Sequence, residues 1–215
     1  MMGSADRDPR RAGTIWALNL DGNLPLVQPG LPAVFTRLGP ESARQLAAAM
    51  GAGALPVVRE RFAAGRQAYA AWVGREIASY GWVSFQEELV GELNLRLNLV
   101  LGEAYIWDCA TLPAYRGQHL YSALLTQIVQ ELYYQSVCRV WIGADLDNLA
   151  SQRGIARAGF HRVADLLVER VLAMRMVWAE GHPEVPDSWV AEARRVYLGD
   201  REKVWLGALA SARST

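Results

Sequence analysis

The sequence carries no net charge and has no long apolar run. Its 22 Lys and Arg residues balance 22 Asp and Glu residues, so no overall field attracts nucleic acid or an anionic membrane. No stretch reaches the roughly 18 consecutive apolar residues that a membrane-spanning helix needs. We therefore expect neither a nucleic-acid partner nor a membrane.

Cysteine is also scarce. The two cysteines, Cys109 and Cys138, lack the Cys-x-x-Cys or Cys/His spacing of a metal site, so we expect no bound metal. The first residues, MMGSADRDPRRAG, have no apolar core of the kind found in secretory signals. These features favour the reducing cytoplasm as the location.

The sequence further lacks a Gly-x-Gly-x-x-Gly motif after an early strand, which argues against dinucleotide binding. It has instead 52% hydrophobic residues over 215 positions, enough for a large buried core. No internal repeat or interdomain linker is visible. We expect a main domain at residues 33–180, an arm at 1–32 that is partly disordered or forms a short hairpin, and a helical extension at 181–215.

Strand-like and helix-like segments alternate through the main domain. Residues 68–85 read as an antiparallel pair, and residues 104–111 and 139–144 read as further strands. Between the latter two, Leu120, Leu124, Ile128 and Leu132 recur every four residues, which is the buried face of an amphipathic helix. The pattern predicts an α/β fold.

The turn before that helix is the most informative segment. It reads Leu-Pro-Ala-Tyr-Arg-Gly-Gln-His-Leu-Tyr over residues 112–121 and links a strand to a helix start. Such a turn offers unpaired backbone N–H donors and the positive end of a helix dipole. This combination predicts a phosphorylated ligand.

A second polar block follows the strand at residues 139–144. Asn148 and Ser151 precede a short helix that ends at Gly159-Phe160. Asparagine is a common helix cap and serine a common first-turn residue, so both have an ordinary structural explanation. Both can cap the helix and still contact a ligand.

In this order and spacing the two blocks resemble the GCN5-related N-acetyltransferase superfamily, over roughly residues 35–177. The resemblance implies the acyl-CoA N-acyltransferase fold, an α/β (α+β) arrangement with a mixed central sheet flanked by helices. In that fold the strands at 104–111 and 139–144 form a parallel pair that splays apart. Acetyl-CoA lies with its pantetheine arm in the slot between them, and an amine is the acceptor.

The family's pyrophosphate loop has the form Arg/Gln-x-x-Gly-x-Gly/Ala, which maps onto residues 116–121. His119 and Tyr121 replace the two later glycines. Because such a loop binds through main-chain N–H groups, and histidine is enriched at positive φ, we expect the loop to be modified rather than lost. The resemblance implies these cofactor-binding residues: Cys109, Ala110, Thr111, Arg116, Gly117, Gln118, His119, Leu120, Tyr121, Asn148 and Ser151.

Two carboxylates are candidate catalytic bases, since a lysine-like amine must lose a proton before it attacks a thioester. Glu103 occupies the position of the glutamate base in the histone-acetylating branch of the family. Asp108 lies inside the strand, nearer the turn. The backbone N–H groups around Cys109 to Thr111 are expected to polarise the thioester carbonyl.

The family's general acid, often a tyrosine, is replaced here by Ile155. The thiol of the leaving group has a pKa near 8.5, by analogy with cysteine, so its thiolate leaves with little help from an acid. The absence of the tyrosine is therefore tolerable. The sequence does not rank the three tyrosines that could substitute, which are Tyr105, Tyr115 and Tyr121.

The acceptor side of the fold would be formed by the early helices and the loop after the antiparallel pair. Those regions hold charged and aromatic residues, namely Arg59, Arg61, Arg66, Tyr80, Trp82, Phe85, Glu87 and Glu88. The leading hypothesis is an acetyl-CoA-dependent N-acyltransferase that acts by direct transfer on a primary amine of a small molecule or a protein. Two alternatives stay open, a catalytically silent acyl-CoA-binding protein and a longer-chain acyltransferase, and a homodimer is an open option for its assembly.

Overall fold

The computed structural model describes residues 9–90, 95–172 and 174–206. Within these ranges the strands are β1 (Arg10–Asn19), β2 (Val34–Leu38), β3 (Gln67–Val73), β4 (Glu76–Ser84), β5 (Glu88–Val90), β6 (Leu95–Leu97), β7 (Glu103–Thr111), β8 (Arg139–Asp145), β9 (His161–Val171), β10 (Met174–Gly181) and β11 (Lys203–Leu206). The α-helices are α1 (Ala43–Met50), α2 (Leu55–Ala63), α3 (Leu120–Tyr134), α4 (Leu149–Arg157) and α5 (Asp187–Leu198).

Nine strands form one twisted sheet in the order β11-β10-β9-β1-β8-β7-β4-β3-β2, and β5 pairs with β6 in a separate hairpin. In the part of the chain that the structure describes, β7 and β8 are the one parallel pair, and the other neighbours run antiparallel. The predicted fold class, a mixed sheet with a parallel pair flanked by helices, is confirmed.

Strand periodicity places core residues on both faces of this sheet. In β8, Val140 and Ile142 pack against α3 and α4, whereas Trp141 between them packs on the opposite face beside α5 and β6. Helices α1 and α2 cover the other end of the face shared with α5. The middle of the sheet is therefore buried on both sides.

The N-terminal segment differs from its prediction as an arm or hairpin. β1 lies in the interior of the sheet, antiparallel to both β8 and β9, and residues 24–33 form no strand beside it. Pro25, Pro29 and Pro32 lack the N–H donors that a second hairpin strand would need. The expected boundary at residue 33 therefore does not separate β1 from the sheet, while residues 1–8 of the predicted arm lie outside the described ranges.

The C-terminal extension is helical only in part. α5 ends at Leu198 because Gly199 adopts a left-handed conformation, with φ of 63°, which closes the helix. The chain then returns as β11, which pairs with β10 at the edge of the sheet. Residues 207–215 lie outside the described ranges.

None of the described helices combines the length and the apolar character needed to cross a membrane.

Candidate active site

The central feature is a cleft where β7 and β8 separate. The two strands pair only from Glu103 to Ile106 and from Arg139 to Ile142, after which no further residues are in register. A cavity of about 1110 Å³ opens at this point and reaches both faces of the sheet. The predicted splayed pair therefore exists, and its opening lies between residues 107 and 143.

A β-bulge at Asp108 directs β7 away from β8. Trp107 pairs with Trp82 and Ala110 pairs with Tyr80, so Asp108 and Cys109 together face a single residue of β4. Asp108 has a φ of 43°, the left-handed region that few non-glycine residues occupy. A β-bulge changes the direction of side chains and leaves a residue unpaired. This bulge does so at the cleft.

The facing residue, Gly81, makes the bulge sterically feasible. A Cβ placed on Gly81 would lie 2.7 Å from the Sγ atom of Cys109, well inside van der Waals contact. Burial raises the pKa of the Cys109 thiol, so the thiol stays protonated and is a poor nucleophile. Its backbone, rather than its sulfur, is the part suited to the chemistry of the cleft.

The predicted phosphate loop has a backbone conformation that is compatible with His119 and Tyr121 in place of glycine. Gly117 and His119 both have positive φ, 78° and 56°, and Tyr121 is already in the second position of α3. His119 is the N-cap residue, yet its side chain forms no capping hydrogen bond to the first turn of α3. The amides of that turn are thus available to an anion, as the loop prediction requires.

Positive charge is concentrated beside these amides. The Nδ1 atom of His119 lies 2.6 Å from Nη1 of Arg157, and Arg116 donates from Nε to the carbonyl oxygen of Thr111 at 3.2 Å. The Gln118 carbonyl accepts a hydrogen bond from Gly30 at 2.7 Å, which fixes the loop on the N-terminal segment. The arrangement suits a pyrophosphate.

The Asn148 block joins the loop at the cleft. The Asn148 side chain accepts from the Ser151 amide at 3.0 Å as the N-cap of α4, and the Ser151 hydroxyl lies 3.2 Å from that of Tyr121. The Tyr121 ring packs against Gly154, where any larger residue would clash, since a Cβ at this position would lie 2.5 Å from the ring. The starts of α3 and α4 are therefore held side by side.

The structure brings together only some of the predicted residues. Asp108, Cys109, Tyr121, Asn148 and Ser151 line the cleft. The remaining predicted binding residues lie on the continuing strand and loop, outside the cleft lining: Ala110, Thr111, Arg116, Gly117, Gln118, His119 and Leu120. The Leu120 side chain is buried against Ala71 and Ala78, so only its backbone is free for a ligand.

Glu103 is not at the cleft. Its side chain is 6% exposed and accepts hydrogen bonds from the Arg195 guanidinium at 2.5 Å, the Trp141 indole at 3.2 Å and the Val100 amide at 3.0 Å. These partners occupy both carboxylate oxygens on the face under α5. The structure therefore gives Glu103 a role in holding α5 and does not place it with Asp108.

Asp108 is held by an arginine from α2. The Arg61 Nη1 atom lies 2.5 Å from its Oδ2 atom, and the Arg61 guanidinium stacks on Trp107 and Trp82 at 4.4 and 5.1 Å from the ring centroids. Of the predicted acceptor-side residues, Arg61 lines the cleft, whereas Glu88 is buried in a pair with Arg66. Asp108 is thus a fixed carboxylate at the cleft.

Two buried tyrosines complete the opposite wall. Tyr105 of β7 and Tyr197 of α5 line the cleft with their rings edge to face, 6.4 Å apart. Tyr105 was among the candidates for the missing acid, but Tyr197 was missed, because nothing local in the sequence links α5 to the slot. Ile155, at the family's tyrosine position, is fully buried in the core.

Within the described ranges, no three or more His, Cys, Asp or Glu side chains cluster in a way that could hold a metal ion.

Comparison with known proteins agrees with this geometry. Residues 54–160 match the model of the acetyltransferase (GNAT) family. No match was found among curated proteins. An acetyltransferase of the GNAT family from Colwellia psychrerythraea is similar with a TM-score of 0.53 at 16% identity, over 75% of this chain and 56% of that one.

A GCN5-related N-acetyltransferase from Sphaerobacter thermophilus is similar with a TM-score of 0.54 at 16% identity, over 72% of this chain and 49% of that one. The chain thus spans about half the length of these two structures. At such identities the likeness concerns the fold, and the family match covers the splayed strands, the loop and the Asn148 block. Residues 54–160 of this chain therefore form a domain of the GNAT acetyltransferase family.

Proposed function

We propose that the protein transfers an acetyl group from acetyl-CoA directly to a primary amine of a small molecule or a protein. The observation that carries the proposal is the cleft through the sheet at the β7–β8 splay, with uncapped α3 amides beside it. The two free cysteines of the described chain support placing this activity in the reducing cytoplasm.

The donor site fits an acyl-CoA. First-turn amides of α3, with Arg116 and Arg157 near them, would hold the pyrophosphate, and the slot along β7 would receive the pantetheine arm. When bound, acetyl-CoA supplies an acetyl thioester to the reaction. Those backbone N–H groups between Cys109 and Thr111 that face the cleft would polarise its carbonyl.

Asp108 is the base that this geometry favours. It is the predicted carboxylate that lines the cleft, whereas the Glu103 oxygens are occupied by Arg195, Trp141 and Val100. The amine nitrogen bonds to the acetyl carbon as the carbon–sulfur bond breaks. The proton of the amine passes to the Asp108 carboxylate, directly or through water.

The function is tested with acetyl-, octanoyl- and palmitoyl-CoA in a thermal-shift titration, followed by thiol release in a panel of primary amines. Acetyl-CoA should stabilise the fold increasingly with its concentration, by about 2.7 kcal/mol at a hundred times its Kd, and an amine should release CoA. Binding with no thiol release for any amine would indicate a silent acyl-CoA-binding protein. Stabilisation at lower concentrations of octanoyl- or palmitoyl-CoA would indicate a longer-chain acyltransferase.

Replacing Arg116 with alanine should weaken acetyl-CoA binding about tenfold, because a charge-assisted contact to phosphate is lost at an exposed site. Isothermal calorimetry with CoA measures the change. Arg44→Ala, which removes an exposed arginine of α1 on the other face, is the control and should leave the Kd unchanged. Equal affinity of Arg116→Ala and the wild type would argue against the loop as the phosphate site.

Replacing Asp108 with asparagine should lower kcat by about a hundredfold, the usual contribution of a general base, and leave the affinity for CoA unchanged. The comparison is made with Asp147→Asn, a second carboxylate that lines the cleft. If the two variants behave alike, Asp108 has no special part in proton transfer.

A further inference from the structure

The Tyr197 hydroxyl is a buried polar group without a hydrogen-bond partner in the described part of the chain. The residue is 2% exposed, and its oxygen interacts with the neighbouring Tyr105 hydroxyl but forms no hydrogen bond of normal distance and angle. Leaving such a group unsatisfied costs about 1–3 kcal/mol. Since the side chain lines the cleft, a ligand in the cleft can satisfy it.

The hydroxyl lies at the closed end of the splay. Gly143 directly follows Ile142, the last β8 residue in register with β7. A Cβ on Gly143 would lie 3.6 Å from the Tyr197 oxygen and 3.3 Å from the Tyr105 oxygen. Two phenolic hydroxyls therefore converge at the glycine where the two strands part.

Both hydroxyls are neutral and can donate and accept. Burial raises the pKa of Tyr105 and of Tyr197 well above the usual value for tyrosine. A neutral phenol has one O–H donor and lone pairs for an N–H, which matches a neutral amine. It offers no charge to hold a cation or an anion.

On the α5 face the cleft has an apolar wall beside the charged Arg61. Leu89 and Leu95 of the β5–β6 hairpin, Trp107 of β7 and Leu166 of β9 line it. Apolar walls with a few convergent polar groups are typical of sites for small organic ligands. The walls favour a hydrocarbon or aromatic body over a sugar or a peptide backbone.

We propose that Tyr197 is the hydrogen-bonding contact for the acceptor nitrogen, and that the acceptor is a primary amine on an apolar body. The assignment rests on the proposed acetyl transfer and names its substrate class. The amine donates an N–H to the Tyr197 oxygen while its lone pair faces the bulge. α5 holds the tyrosine in place through the ion pairs Arg195–Glu103 and Arg139–Glu192.

The test is Tyr197→Phe, with Tyr134→Phe, an 85% exposed tyrosine, as the control. Three quantities are measured: the unfolding temperature of the free protein, the Kd for CoA, and kcat and KM for n-hexylamine, benzylamine and ethanolamine. The first two should change little, because the Tyr197 hydroxyl has only its weak contact with Tyr105 to lose. The kcat/KM ratio for n-hexylamine and benzylamine should fall at least tenfold, and the wild type should prefer both to ethanolamine.

A lower unfolding temperature of Tyr197→Phe would show that the hydroxyl is structural and would overturn the assignment. Unchanged kcat/KM in this variant, with an active wild type, would overturn it as well and leave the proposed function intact. A preference of the wild type for ethanolamine would overturn the substrate class. A wild type that acetylates no amine would overturn the proposed function and this assignment together.

Discussion

Replacing Glu103 with alanine should lower the free energy of unfolding by about 3–5 kcal/mol, as removal of one partner from a buried ion pair does. The change leaves the Arg195 guanidinium and the Trp141 indole without their shared acceptor. It also releases the C-terminal half of α5 from β7. Urea denaturation followed by far-UV circular dichroism measures the loss.

The same substitution distinguishes a structural from a catalytic Glu103. Glu87→Ala is the matched control, because Glu87 pairs with Arg96 where both side chains are more than 60% exposed, and such a pair contributes at most about 1 kcal/mol. Glu103→Gln keeps an acceptor for the indole and should retain most of the turnover at temperatures where it is folded. A stable Glu103→Gln protein with kcat reduced a hundredfold would instead support Glu103 as the base.

The backbone conformation of the loop at residues 116–121 could be predicted because its geometry is local. The positive φ of His119 and the helical position of Tyr121 follow from the few residues around them, so the replacement of two glycines could be judged without knowledge of the fold. The Asn148 cap is local in the same sense, since its acceptor and donor are three residues apart. The conformation of such motifs is determined by the residues within them.

The contacts of Glu103 and Tyr197 could not be predicted from local sequence. Glu103 was named a candidate base because it occupies the position of the family's glutamate base, but the Arg195 that binds it lies 92 positions away. Tyr197 reaches the cleft only because α5 packs under β7 and β8, which no local pattern encodes. The interior position of β1 has the same origin, since its partners β8 and β9 lie more than a hundred residues further along the chain.

The protein should unfold cooperatively between about pH 10 and 12, because its buried tyrosines keep their protons in the folded state. Burial raises the pKa of Tyr69 and Tyr80 to about 12, and raises those of Tyr105 and Tyr197 further. In the unfolded chain each has a pKa near 10. Above that value the unfolded state binds fewer protons than the native state, so stability falls as pH rises.

Each group contributes up to about 1.4 kcal/mol per pH unit above its unfolded pKa, so the four together remove about 6 kcal/mol by pH 11. That is comparable to the whole stability of a typical domain. Below pH 10 these groups are protonated in both states and have no effect. Cys109, whose pKa is also raised, lowers stability at the same rate per pH unit but from its unfolded value near 8.5.

The composition of the chain simplifies the measurement of this alkaline unfolding transition. Lys203 is the chain's one lysine, and arginine does not titrate in this range, so few other groups change charge there. The part of the phenolate absorbance that comes from the buried tyrosines should change together with the far-UV circular dichroism in one step, and Tyr197→Phe should shift the midpoint upward. Phenolate formation that is complete while the circular dichroism is still native would mean that these tyrosines ionise inside the folded protein, and that the cleft is wet enough to hold their charge.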